Sequence, residues 1–506
     1  MKSSYIKIFF LAIIFGTITS ACKKVLEPEL TYAIEASRLK TAADFERVLN
    51  GAYASMRSVG YYSFGYSNGG DVGTDNLIET PASLGNNRLL AQWTFNPGSG
   101  VVARVWNAPY VVINQANAVL ENVDNLVETA PGQKNRIRGQ ALAVRALAHF
   151  DLMRFFAASY DRNSDALGVA IKQKSEATFP PRNTVKECYD FIYKDLEDAE
   201  AALLDIDVAI NPGARKSKLD IHGVRALRAR VSLYAKQWAD AREYADKVIA
   251  ESNINIGSII VGVTQNAGIS TQTLGSTTSF QSVWFNDLNS NVETIFAVAF
   301  NVGQGSPGFF PSDGVNAFTV SNDWLSLFTG TPTNDVRYNV AYNPGASPAA
   351  ATYLKFSGRF AGTVTPPNLV PRDGNVDVKV FRIAEMYLIR AEAALNLGDE
   401  ASARDDIRFL RANRIVGYVP ALDAIGDVLD AIQTERRKEL LGEGHRWFDA
   451  RRYGLSFDRG AAPGDGDCSS TAPDCQLPAG DFRFVFPIPL AEINANKAMV
   501  QNTGWR

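Results

Sequence analysis

The stretch Arg382–Leu410, RIAEMYLIRAEAALNLGDEASARDDIRFL, decides how the rest of the chain is read. Ala384, Tyr387, Leu388, Ala391, Ala394 and Leu395 recur at i, i+3, i+4 spacing, so they share one face of a helix. Leu397-Gly398-Asp399 then breaks the pattern, with glycine placed where a helix ends. From Ala401 the period resumes to Leu410, which predicts a second helix folded back on the first. The alanines on the shared face let two backbones approach closely.

Further helical stripes run outward from this pair. They are Phe45/Val48/Leu49/Ala52/Met56, Val112/Ile113/Ala116/Val119/Leu120/Val123, Ile137/Ala141/Val144/Ala148/Leu152/Phe155 and Tyr189/Ile192/Leu196/Ala199/Leu203. Leu219 to Ala250 reads as two more helices, with Trp238 at the bend. Helix pairs closed by small residues and an aromatic resemble tetratricopeptide repeats. Here they are separated by long insertions, which favours a scaffold over a peptide-binding solenoid. The predicted fold is mainly α, with tetratricopeptide-like pairs supporting a loop-rich part that holds a few short β-hairpins.

Two insertions, 58–100 and 254–378, are rich in Gly, Asn, Ser, Thr, Pro and aromatic residues. Thr294 to Phe300 is a short strand candidate there. Long ordered loops within a compact protein usually carry function. Sugar rings offer apolar CH faces to indoles and phenols, while their hydroxyls need polar partners. Trp284, Trp324, Trp93 and Tyr66, with Asp75 and Arg88 nearby in sequence, are therefore the predicted ligand residues. Trp106 and Trp447 fall in helical segments and read as core.

The chain begins like an exported protein. Lys2 and Lys7 precede an apolar run from Ile8 to Ile18 that is too short to span a bilayer, which takes roughly 20 residues. Thr19, Ser20 and Ala21 lead into Cys22, an arrangement that resembles a bacterial lipobox. Residues 1–21 are thus read as a lipoprotein signal peptide and Cys22 as the acylated residue that anchors the chain to a membrane. Residues 22–506 are read as a single domain. In an exported chain, Cys468 and Cys475, flanking a short polar stretch, read as a disulfide loop, with a pair of free thiols as the alternative.

Bulk properties exclude several functions. The 506 residues are 46% hydrophobic and 21% charged, with a formal net charge of -3. Such a balance argues against nucleic acid as a partner. The three histidines, His149, His222 and His445, have no metal-ligand spacing. No P-loop occurs, and no Gly-x-Ser-x-Gly elbow is followed by a plausible acid and histidine, so no cofactor is expected.

The densest pattern is Glu435–Gly454, ERRKELLGEGHRWFDARRYG. Glu443 and Asp449 are the carboxylates a glycosidase reading would choose. Mixed charges at helical spacing favour instead an ion-pair network that locks the last helices to the loops.

That run, together with RIAEMYLIRAEAALNLGD and FPIPLAEINANKAMVQNTGW, resembles the C-terminal signatures of the SusD/RagB family. VWNAPYVVINQANAVLENV resembles its Trp106, Tyr110, Ile113, Asn117 pattern. RGQALAVRALAHFDLMRFFA resembles its glycine-to-Arg-Ala helix, with Gly139, Arg145 and Ala146 matching. The resemblance implies a non-catalytic nutrient-binding lipoprotein on the outside of the outer membrane of a Bacteroidota bacterium. It implies a TonB-dependent, SusC-like β-barrel transporter as partner. The cargo it implies is an oligosaccharide or polysaccharide, with peptides or another nutrient as the alternative.

Overall fold

The fold is that of a computed structural model. It describes residues 39–505 apart from 81–84, 86, 205, 207–209, 212–215, 258, 260–279, 286–292, 302–303, 305–317, 344–351, 354, 357–375, 461–466 and 469–472. The leader 1–21 and Cys22 lie outside the described residues.

The first half is an array of long helices: α1 (Ala42–Ser55), α2 (Asn68–Val72), β1 (Leu77–Glu79), α3 (Arg88–Ala91), α4 (Gly100–Asn122), α5 (Gln133–Phe156) and α6 (Val185–Leu203). Next come α7 (Ile221–Tyr234) and α8 (Trp238–Glu251), the two helices predicted across Leu219 to Ala250. Local chemistry explains where they begin. Thr41 and Asp44 close a capping box on α1, and Thr184 and Glu187 close another on α6. The Asp220 carboxylate accepts from the His222 and Gly223 amides at the start of α7.

Helix α5 is the axis of this half, and it is buried on every side. Its crossing with α6 depends on Gly139, where a Cβ would stand 2.6 Å from the Leu203 side chain. Arg145 of α5 grips Asp195 of α6 through two hydrogen bonds of 2.8 and 2.7 Å, and Asn117 of α4 through one of 2.9 Å. Three of the signature residues thus fix three helices in register.

Short elements follow: α9 (Phe280–Phe285), β2 (Thr294–Val298), β3 (Phe318–Val320), α10 (Asn322–Ser326), α11 (Val336–Ala341), β4 (Tyr342–Asn343) and β5 (Thr352–Tyr353). The chain then forms β6 (Val378–Arg382), α12 (Ile383–Asn396), α13 (Glu400–Ala412), α14 (Val428–Glu439) and α15 (Arg446–Tyr453). It ends with β7 (Phe457–Asp458), β8 (Gln476–Leu477) and α16 (Leu490–Ala495). The described strands form two-stranded antiparallel ribbons only: β1 with β3, β2 with β6, β4 with β5, and β7 with β8.

Helices α12 and α13 are the predicted back-folded pair. Gly398 makes the turn at φ +84, and Asp399 caps α13 by accepting from the Ser402 amide. Helix α8 packs on α12, which joins this pair to the first half. The chain is therefore mainly α, with helix pairs carrying short strands and loops. The main core runs along the helices, and a smaller one, holding Trp284 and Trp324, lies under the loop-rich part.

Candidate ligand-binding face and the charge network beneath it

The run Glu435–Gly454 forms the end of α14, a tight turn and α15. Its carboxylates are all committed. Glu439 receives Arg414 at 2.9 Å and Arg382 at 3.0 Å, with Arg337 at 3.7 Å. Glu435 receives Arg337 at 2.6 Å and Arg411 at 2.8 Å. Glu443 is held by Lys355 at 2.7 Å and by Arg382 at 2.8 and 2.7 Å. Glu293 closes the circuit, accepting from Arg382 and from Arg414, each at 2.7 Å. Asp449 accepts from Arg436 at 2.9 Å and Arg452 at 2.8 Å.

These groups are buried, which alone would raise the carboxylate pKa values. The surrounding cations outweigh burial. Arg337 and Arg411 bring Glu435 down to about 2, and Glu439, Glu443 and Asp449 also lie below the ordinary range. A glycosidase needs one carboxyl held protonated as general acid. Glu443 and Asp449 are fixed as carboxylates, each gripped by two cations, so this pair is a structural clamp.

The clamp reaches into the loop-rich part. Arg446 holds Asp75 through paired hydrogen bonds of 2.7 and 2.6 Å. Arg437 reaches the Asn76 amide oxygen at 3.1 Å and the Asp323 carboxylate at 2.6 Å. The Trp324 indole donates to the Arg437 carbonyl at 3.2 Å. Residues 75–76 and 323–324, far apart in sequence, are thus tied to α14 at the end of the β1–β3 ribbon, where the Ser321 amide donates to the Asn76 carbonyl at 2.9 Å.

The placement of the predicted ligand residues corrects the sequence reading. Trp284 and Trp324 are 0% exposed, Trp93 2% and Tyr66 1%. Trp284 has Lys355, Lys379 and Arg382 at 4.3, 5.0 and 5.2 Å from its ring centre. Trp324 packs on Phe328 at 4.7 Å. Trp93 adopts a left-handed backbone, φ 55, donates to the Gly73 carbonyl at 2.7 Å and carries Arg459 4.5 Å over its ring. Tyr66 donates to the Val105 carbonyl at 3.3 Å and meets Phe155 edge-on at 4.8 Å. Asp75 is buried too; burial opposes its ionisation, but Arg437 and Arg446 keep its pKa below the usual value. A ring face covered by protein has no surface left for a sugar, so none of these five buried residues offers a ligand an open face. Arg88, on α3, is the predicted ligand residue that stands exposed.

The ribbon and α3 present Ile78 and Glu79, half-buried, beside exposed Arg88 and Leu89. The Asn87 side-chain nitrogen and the Thr319 hydroxyl are buried there without a partner. Sequence reading did not single out Asn87 or Thr319, nor the supporting cations Arg382, Arg414 and Arg459. The density of arginine was visible, but their partners lie on distant segments.

Cys468 and Cys475 are joined by a disulfide with a Cα–Cα separation of 5.4 Å. Just before it, Asp467 accepts from the Asn322 and Asp323 amides at 2.9 and 3.2 Å. Asp467, the residue before the closed loop, therefore caps α10, the helix that carries Trp324, together with the Ser321 hydroxyl, which accepts from the Trp324 amide. Cys188 is free and buried, and burial pushes its thiol up to about 12.

Comparison with known proteins agrees with this architecture. A family model described as "SusD family" matches residues 362–505, and one described as "Starch-binding associating with outer membrane" matches residues 33–221. A SusD-like protein of Formosa agariphila is 24% identical, covering 89% of this chain and 92% of its own. The starch-binding protein SusD of Bacteroides thetaiotaomicron is 21% identical, covering 78% and 77%. A SusD superfamily structure from Bacteroides vulgatus superposes with a TM-score of 0.76 at 24% identity, over 92% of this chain and 100% of that one. A SusD-like carbohydrate-binding protein from the same organism gives 0.72 at 25% identity, over 91% and 97%. Both halves of the chain match in order, on the helices and signature segments described above, and the chain belongs to the SusD/RagB family.

Proposed function

We propose that this chain binds oligosaccharide or polysaccharide without catalysis at the surface of the outer membrane, and passes it to a TonB-dependent, SusC-like transporter. The observation that carries the reading is the match of residues 33–221 to the starch-binding, outer-membrane-associated family, in a fold shared with a carbohydrate-binding protein. The clamped state of Glu443 and Asp449 supports binding over hydrolysis. No described helix is long and apolar enough to cross a membrane, in keeping with attachment through an acylated Cys22 after removal of residues 1–21. Residues 22–506 then act as one domain. The glycan lies on the ribbon and α3, with Arg88 and Glu79 as polar contacts and the buried Trp324 and Asp75 holding the ribbon to α14 and α15.

The test is calorimetric titration of residues 23–506 with a panel of oligosaccharides. At least one glycan should bind the wild type and lose most of its affinity in Arg88→Ala, with no products released on prolonged incubation. Folded protein that gives no heat with any glycan, but does with peptide mixtures, would move the cargo assignment to peptides. Product release abolished by Glu443→Gln would overturn the non-catalytic reading. Co-purification with the barrel encoded by the same cell tests the transporter partnership separately.

A further inference from the structure

A cleft of about 720 Å³ lies between the C-terminal end of α5 and the last segment of the chain, away from the ribbon and α3. Tyr160, Tyr234, Lys236, Arg451, Phe482 and Thr503 are among its lining residues. Its size falls within the range of small-ligand sites, roughly 300–1,000 Å³.

Three features show that its walls are built. Phe482 is 43% exposed, yet its ring is fixed, edge-on to Trp505 at 4.8 Å and packed against the Cα of Gly504. Gly504 has φ +90, and any Cβ there would collide with the Phe482 ring. Arg451 lies 4.1 Å over the Tyr160 ring and donates to the Arg154 and Ala157 carbonyls at 3.2 and 2.6 Å. Among the described residues no carboxylate pairs with Arg451, whereas its neighbour Arg452 is held by Glu392 and Asp449. Tyr234 is 1% exposed and its hydroxyl has no hydrogen-bond partner.

An exposed but rigid aromatic ring beside a guanidinium with donors to spare asks for a ligand that is apolar on one face and rich in hydroxyls at its edge. A hydrocarbon would make no use of the Arg451 donors, and a bare anion would make no use of Phe482. A sugar ring uses both. We propose that this cleft is a second carbohydrate site, taking the end of a short oligosaccharide with a ring stacked on Phe482. It rests on the glycan-binding reading above but uses none of the same residues.

Maltose, cellobiose, xylobiose and digalacturonate are suitable probes, each presented by saturation-transfer NMR to residues 23–506 carrying Arg88→Ala, so that the ribbon face contributes little. One of them should bind, and Phe482→Ala should weaken it by about fivefold or more, the worth of one stacking contact. Phe482→Ala should melt close to the wild-type temperature, because nearly half of the ring is exposed. A loss of affinity with no loss of stability separates a ligand contact from a packing role. Equal affinity in the variant would overturn the proposal, as would the absence of signal from all four probes. In either case the panel titration of the wild type still decides the ribbon-face reading by itself.

Discussion

Gly444 shows what a single position contributes. Its φ of +77 is left-handed, and a Cβ there would overlap the Tyr66 carbonyl oxygen. Its amide donates to the buried Asp71 carboxylate at 2.9 Å. Gly444→Ala is expected to cost about 3 kcal/mol or more, from backbone strain plus a displaced loop, read as a lower urea midpoint. Glu439 makes the complementary case. Glu439→Gln leaves Arg382 and Arg414 facing a neutral amide inside the core, and breaking such a buried cluster costs about 3–5 kcal/mol. The same measurement checks it, and a loss below about 1 kcal/mol would show that Glu293 and Glu443 neutralise these cations unaided. The mixed charges of the run announced a clamp but not its partners: Asp449 pairs within the run, whereas Glu435, Glu439 and Glu443 pair with Arg337, Arg411, Arg414, Arg382 and Lys355 outside it. Residue identity did not carry the fate of the tryptophans. Whether an indole among Gly, Asn and Thr is a platform or a core residue depends on what covers it. For Trp284 the covers are Lys355, Lys379 and Arg382, none of them near it in the chain.

Among elements, legibility follows the range of the contacts. The pairs α7–α8 and α12–α13 were readable because the 3.6-residue period, the capping aspartates and Gly398 are all local signals. The β1–β3 ribbon was not, since Leu77 pairs with Val320 across most of the helical half. Nor was the cap on α10. Asp467 supplies it from the position next to the Cys468–Cys475 bridge. The double variant Cys468→Ala/Cys475→Ala should therefore lower stability by roughly 2 kcal/mol, the worth of a short closed loop. It should also raise amide hydrogen exchange across Asn322–Ser326 and Leu77–Glu79, ahead of the helices. Uniform exchange, with no excess at α10, would show that the cap holds without its loop.

For the whole molecule, the buried charges fix how stability responds to acid. The carboxylates Asp75, Glu435, Glu439, Glu443 and Asp449 have depressed pKa values in the fold. Their contribution is fully present above the unfolded carboxylate pKa of about 4 and is lost as pH falls toward 2. Burial brings His149 down to about 3, and burial with Arg230, Arg436 and Arg154 takes His445 well below its usual value. Unfolded histidines gain protons below about pH 6.5, so stability starts to fall there, well before the carboxylates titrate. Asp71 has the opposite sign. Burial raises it to about 6 despite hydrogen bonds from Asn76 and Gly444, so the folded state takes up its proton first. That contribution is present below about pH 4 and lost as pH rises through 6. Near pH 5 His149, His222 and His445 therefore favour the unfolded chain, and Asp71 returns about one proton to the fold. The dependence of unfolding free energy on pH should then be steeper by roughly one proton in Asp71→Asn than in wild type. Urea titrations at half-unit steps from pH 7 to 4 read both slopes. Equal slopes would mean that Asp71 stays ionised throughout, held by the Gly444 amide and Asn76 more firmly than its burial opposes.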